Sequence, residues 1–156
     1  MKYDDASWHY GGKFPADLPQ ENGATHIGMF LSWAIGSGLV GEHHVAQSRA
    51  GLDLLRKRQT GPAQFLVDYC DGKLTDEDLS PEGNAFASSY YDSGYLADYA
   101  SVFANEGETL YHVAPTWENF DRLKPLLDRR LAASRRAPRW TSALRSIFLP
   151  WRRRRI

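Results

Sequence analysis

The sequence predicts a mainly α fold, with α+β as the alternative: about five helices around a buried central helix at residues 25–38. Three observations lead there. The window from Gly23 to Val40, GATHIGMFLSWAIGSGLV, is the most apolar in the chain. Several other segments carry apolar residues at helical spacing behind a capping residue or a proline. Only Thr109 to Val113, TLYHV, has a fair strand pattern, so the β content is at most a small element near residues 109–113.

Taken in order, Lys2 to Gly12 reads as irregular chain that lays Tyr3, Trp8, Tyr10 and Phe14 over the central helix, with Pro15 and Pro19 keeping the next stretch extended. In the central helix Ile27, Phe30, Leu31, Ala34 and Ile35 share one face, while Met29 and Trp33 make a second apolar flank, so both sides need cover. Gly38 suits a left-handed C-cap. Glu42 to Arg58 predicts a second helix, with an acid at its start and bases in its last turn. Thr60, Gly61 and Pro62 open a third, with Phe65, Leu66 and Tyr69 as its stripe as far as Gly72, and Ser80-Pro81 opens a fourth running to about Tyr91. Tyr95 to Phe103 is ambiguous between helix and strand. Thr116 caps the last helix, Trp117 to about Arg135, whose stripe is Trp117, Phe120, Leu123, Leu127 and Leu131, with Pro125 inside it.

A chain of 156 residues with 42% hydrophobic content buries one core, so residues 1–136 are assigned to a single acidic domain and residues 137–156 to a basic Arg/Trp-rich segment. The single cysteine, Cys70, excludes an internal disulfide, and MKYDDASWHYGG has no apolar leader region; the cytoplasm is the expected location. Met1 to Asp121 holds 7 Lys and Arg against 18 Asp and Glu, a balance of −11, and Arg122 to Ile156 holds 12 against 1, a balance of +11. An acidic body disfavours nucleic acid and favours a basic protein, whereas Arg152 to Arg155 suit anionic surfaces or the body itself.

The candidate sites follow from residue type. Tyr90, Tyr91, Tyr95 and Tyr99 are interleaved with acids, and with the run Asp76, Glu77 and Asp78 they suit contact with a basic protein partner; the equal alternative is that the tyrosines finish a small core with their hydroxyls at its edge. Asp4, Asp5, His9 and His26 are the residue types of an acid–base or metal site, provided the N-terminal segment folds over the start of the central helix. His43 and His44 are adjacent, and i, i+1 neighbours on a helix point about 100° apart, whereas paired ligands want i, i+4. Cys70 reads as a buried thiol without basic neighbours. Neither GxSxG, a phosphate loop, HExxH nor a cysteine cluster occurs. No cofactor and no metal are expected.

KYDDASWHYGGKFP, GATHIGMFLSWAI, SPEGNAFASSYY with GYLADY, and LYHVAPTWENFDRLKPLLDRRL resemble the blocks of a bacterial domain family of unknown function, over residues 2 to about 135. The resemblance implies the class of small cytoplasmic immunity proteins that neutralise toxins of type VI or contact-dependent secretion. It lends no role to any numbered residue. The expectation is therefore an immunity protein that binds a basic, nuclease-like toxin; the alternative is a hydrolase or metal-dependent enzyme using Asp4, Asp5, His9 and His26.

Overall fold

The computed structural model describes residues 1–11 and 14–136. In chain order they form β1 (Lys2–Asp5), a 3-10 turn (Ala6–His9), α1 (Thr25–Gly36), α2 (Glu42–Gln47), α3 (Arg49–Arg56), α4 (Gln64–Cys70), β2 (Lys73–Thr75), α5 (Pro81–Tyr90), a π-helical turn (Tyr91–Tyr95), α6 (Leu96–Val102), a 3-10 turn (Leu110–His112) and α7 (Trp117–Arg136), with further short 3-10 turns at Gln20–Ala24 and Asp76–Asp78. The fold is mainly α, and its small β element lies elsewhere than the sequence suggested.

Every residue of α1 from Thr25 to Ile35 is buried, as an all-round apolar helix requires. The helix ends at the expected glycine: Gly38 adopts φ +78°, its N–H reaches Ile35 O at 3.2 Å, and the Leu39 N–H reaches Ala34 O at 2.8 Å. These paired bonds satisfy the last carbonyls that the helix leaves free. α4 packs close on α1 because Gly28 has no side chain; a Cβ there would lie 2.5 Å from Ala63 Cα. α5, the π-helical turn and α6 cover another side with Phe86, Tyr91, Tyr95 and Tyr99, and α7 seals the core with the predicted stripe Phe120, Leu123, Leu127 and Leu131.

Three elements differ from expectation. Residues 2–12 contain β1, which pairs antiparallel with β2 in the register Asp4↔Leu74 and Asp5↔Lys73, with an irregularity between Lys2 and Asp4. A strand of 4 residues shows little alternation of its own, and its partner is remote in sequence. The helix predicted over Glu42–Arg58 divides at Ser48, where the backbone departs to φ −116°, ψ 25°. TLYHV is a 3-10 turn instead of a strand: the Thr109 hydroxyl accepts the Tyr111 amide (3.3 Å) and His112 Nδ1 accepts the Thr109 amide (3.3 Å), so side chains close the turn locally.

Among the described residues, part of the charge segregation is resolved by ion pairs within the fold. Arg130 grips Asp98 with two bonds (2.6 and 2.8 Å), Arg135 meets Glu82 (2.7 Å), and Arg122 meets Glu106 (2.6 Å), so the bases of α7 fold back on the acidic body. Residues 1–136 hold 13 Lys and Arg against 19 Asp and Glu, which leaves a balance of −6. Among the described residues no helix is long and apolar enough to cross a membrane. The basic segment at residues 137–156, with Arg152 to Arg155, lies outside the described residues.

Candidate functional site

β1 and the turn after it carry Asp4 and His9 to the N-terminal end of α1, where His26 is the second helical residue. Asp4 Oδ1 accepts the Asp5 amide (2.8 Å) and faces His9 Nε2 (2.9 Å); Oδ2 accepts the Tyr91 hydroxyl (2.9 Å) and faces His26 Nε2 (3.3 Å). An ionised carboxylate only accepts, so this arrangement places a proton on Nε2 of both imidazoles. His9 Nδ1 then presents a lone pair to the Tyr111 hydroxyl, 3.3 Å away. The result is a continuous chain from Tyr111 through His9 to Asp4.

The electrostatics follow from these contacts. Asp4 is 6% exposed, and burial pushes its carboxyl up, yet the hydrogen bonds from His26 and His9 outweigh that and hold it well below the usual carboxylate range. His26, equally buried, is pushed down because desolvation disfavours the imidazolium more than Asp4 favours it. Burial, and after it the Asp4 charge, pushes the Tyr111 and Tyr91 hydroxyls up.

His9, His26, Leu96, Tyr99, Leu110 and Tyr111 line a pocket of about 270 Å³ beside this chain. Its polar groups are few and its walls mostly apolar and aromatic, the usual make-up of a small-molecule site. Tyr91, Tyr95 and Tyr99 recur every fourth residue and present a ladder of hydroxyls to the region. Tyr91 bonds Asp4, Tyr95 donates to the carbonyl of His26 (2.6 Å), and the Tyr99 hydroxyl is buried with no partner among the described residues.

Three of the four residues proposed for an acid–base or metal site therefore converge, and Asp5 does not. Its Oδ1 accepts the amide and hydroxyl of Ser7 (3.0 and 2.7 Å) and its Oδ2 the Lys2 ammonium (2.7 Å), so it caps a turn. The Lys2 bond holds its carboxyl at about 2 against a small burial effect. Ligand atoms of Asp4, His9 and His26 lie within 4.8 Å of one another, which also fits a single divalent transition metal. The expected partner-binding set is scattered. Asp76 and Glu77 are exposed, Asp76 pairing with the N-terminal ammonium, whereas Asp78 is buried against His44. Tyr90, Tyr91, Tyr95 and Tyr99 are all buried, which corrects the expectation of an exposed aromatic surface: three of them form one helical stripe facing α1. Tyr111 was missed as a site residue; nothing local in LYHV marks it, since its role depends on where His9 comes to rest.

The match to Domain of unknown function (DUF7832) covers residues 2–113. The chain belongs to the DUF7832 family. Asp4, His9, His26, Tyr91, Tyr99 and Tyr111 all fall inside the DUF7832 segment, while α7, with the arginines that pair with acids of the body, lies beyond it. The final block of the resemblance, which begins at Leu110, is thus outside the matched range from Ala114 onward. No curated protein and no solved structure matches this DUF7832 chain.

Proposed function

We propose that this DUF7832 protein carries out hydrolytic acid–base chemistry on a small carbonyl compound in the pocket of His9, Tyr99 and Tyr111. The observation that carries the reading is the chain Tyr111–His9–Asp4 at the edge of that pocket. Asp4 fixes the tautomer of His9 and would stabilise the imidazolium formed when His9 Nδ1 takes a proton from Tyr111. The Tyr111 hydroxyl serves as the relay to a water or to the ligand. His26 keeps Asp4 charged and seals the back of the site.

p-Nitrophenyl acetate is a suitable first probe, because its activated ester needs little specific recognition. Hydrolysis by the wild type should fall by about 100-fold or more in His9→Gln and Asp4→Asn, with helical content by circular dichroism unchanged. Equal rates in wild type and His9→Gln would remove the acid–base reading. A metal-dependent version of the same site predicts, in addition, that chelation stops turnover and added Zn²⁺ restores it.

A second reading keeps the immunity role: a cytoplasmic bacterial protein that binds a basic, nuclease-like toxin. It is favoured by the −6 balance of residues 1–136 and by Glu77, which lies exposed beside Asp76. Co-purification with the neighbouring gene product, rescue of that product's toxicity, and loss of both when Asp76 and Glu77 are made neutral would establish it.

A further inference from the structure

A second cluster of ligating side chains lies apart from the pocket, where α2, the end of α4 and the turn after β2 meet. His44 Nε2 stands 2.8 Å from Asp78 Oδ1 and 3.7 Å from Cys70 Sγ, and ligand atoms of the three lie within 4.8 Å of one another. We propose that His44, Cys70 and Asp78 form a binding site for a single Zn²⁺ ion, with a water molecule completing the tetrahedron.

The geometry is close to what the metal requires. With bonds of about 2.3 Å to sulfur and about 2.0–2.1 Å to nitrogen and oxygen, a tetrahedral site separates N from S by about 3.6 Å and N from O by about 3.3 Å. The sulfur already stands at that separation, and the carboxylate needs to withdraw by roughly half an ångström as its hydrogen bond to His44 is replaced.

The groups behind the ligands are also in place. His44 Nδ1 faces the Ser48 hydroxyl at 3.2 Å, and Asp78 Oδ2 accepts both the Thr75 amide (2.6 Å) and the Thr75 hydroxyl (2.9 Å). Such partners fix ring orientation and carboxylate angle at metal sites. The frame is rigid as well: the Gly41 amide donates to Asp78 O (2.9 Å), and a Cβ at Gly41 would lie 2.2 Å from Glu77 O, so the start of α2 is pressed against the strand-to-helix turn.

Charge balance supports the assignment. One thiolate, one carboxylate and one neutral imidazole cancel the two charges of Zn²⁺, so a closed, electrically neutral unit replaces a lone buried carboxylate. His44 is 1% and Asp78 6% exposed, whereas Cys70 is half-buried and gives the ion its way in. On binding, the Cys70 thiol gives up its proton to solvent, and the His44 proton moves from Nε2 to Nδ1, from which it is donated in a hydrogen bond to the Ser48 hydroxyl. One proton is released per ion.

Co²⁺ is the probe of choice, because a cysteine thiolate bound to it absorbs in the near ultraviolet and Cys70 is the chain's 1 cysteine. Titration should give that band at one ion per chain, with Zn²⁺ displacing it. The band should vanish in Cys70→Ser, weaken by about 10-fold in affinity in Ser48→Ala, and remain in His9→Gln, which separates this site from the pocket. Zn²⁺ should also protect Cys70 from alkylation by iodoacetamide. Absence of the band in folded wild type, or its persistence at full affinity in His44→Gln, overturns the proposal.

Discussion

The Tyr91 hydroxyl donates to Asp4 Oδ2 across 2.9 Å, tying the π-helical turn to the first strand. With the Asp5 amide and the two imidazoles it gives the Asp4 carboxylate four donors, so the charge persists although only 6% of the residue is exposed. Tyr99, eight residues along the same stripe, has a hydroxyl of the same chemistry and no partner among the described residues.

Removing the two hydroxyls should therefore have unlike effects. Tyr91→Phe takes a donor from a buried charge and should cost about 1.5–3 kcal/mol, read as a lower urea midpoint at unchanged slope. Tyr99→Phe removes an unpaired group and should leave stability within about 0.5 kcal/mol of wild type or raise it. A loss in Tyr99→Phe as large as that in Tyr91→Phe would mean that the Tyr99 hydroxyl is already satisfied.

Stability should fall in two steps as pH is lowered. Desolvation depresses the folded pKa of His26 below its ordinary 6.5, so beneath that pH the unfolded chain takes up a proton that the folded chain resists, and stability drops. Asp4 is lowered from 3.8 despite burial, by the His26 and His9 hydrogen bonds; its contribution is complete above that pH and is lost as pH falls through the depressed folded value. Urea midpoints between pH 7 and 5 should decline more steeply in wild type than in His26→Gln, while both decline below pH 4. Parallel curves for the two proteins between pH 7 and 5 would contradict the burial effect on His26.

Trp33 tests the central helix. It is 1% exposed, and its indole N–H donates to Asp128 Oδ1 on α7 at 2.9 Å. Trp33→Asp sets a second carboxylate beside Asp128 and empties the space of an indole, which should cost more than about 4 kcal/mol and unfold the domain. Trp33→Phe keeps the apolar contact and loses one bond, at about 1–2 kcal/mol. A wild-type melting temperature for Trp33→Asp would contradict the central position of α1.

What the sequence made legible was whatever is decided locally. α1 follows from an apolar run, α7 from an uninterrupted stripe, and the start of α5 from Ser80 and Pro81, whose hydroxyl does accept the Gly83 amide at 3.2 Å. The residue types of the pocket were legible too. Their convergence was not, because Asp4 reaches His26 only through the pairing of β1 with β2, and no short-range pattern announces that pairing. The tyrosines misled for a different reason: alternation with acids was read as surface composition, whereas the spacing of Tyr91, Tyr95 and Tyr99 by four is that of a buried helical stripe. Likewise, His43 and His44 were weighed only against each other, and that comparison said nothing about Cys70 and Asp78 arriving beside His44 from elsewhere.

The π-helical turn at Tyr91–Tyr95 has a consequence for how this pocket changes between relatives. A turn of that kind holds one residue more than an α-turn, and each residue of an α-helix advances the chain by about 100°. Deleting Ser93 would remove that surplus residue and return the segment to regular pitch, while Leu96 and Tyr99 kept their phase, held by the Tyr95 bond to His26 and the Arg130 grip on Asp98. The turn thus takes up a change of length without moving the far wall of the site. Gly94 and Ser93, neither of which lines the pocket, are where loss of a single residue would be absorbed in this way.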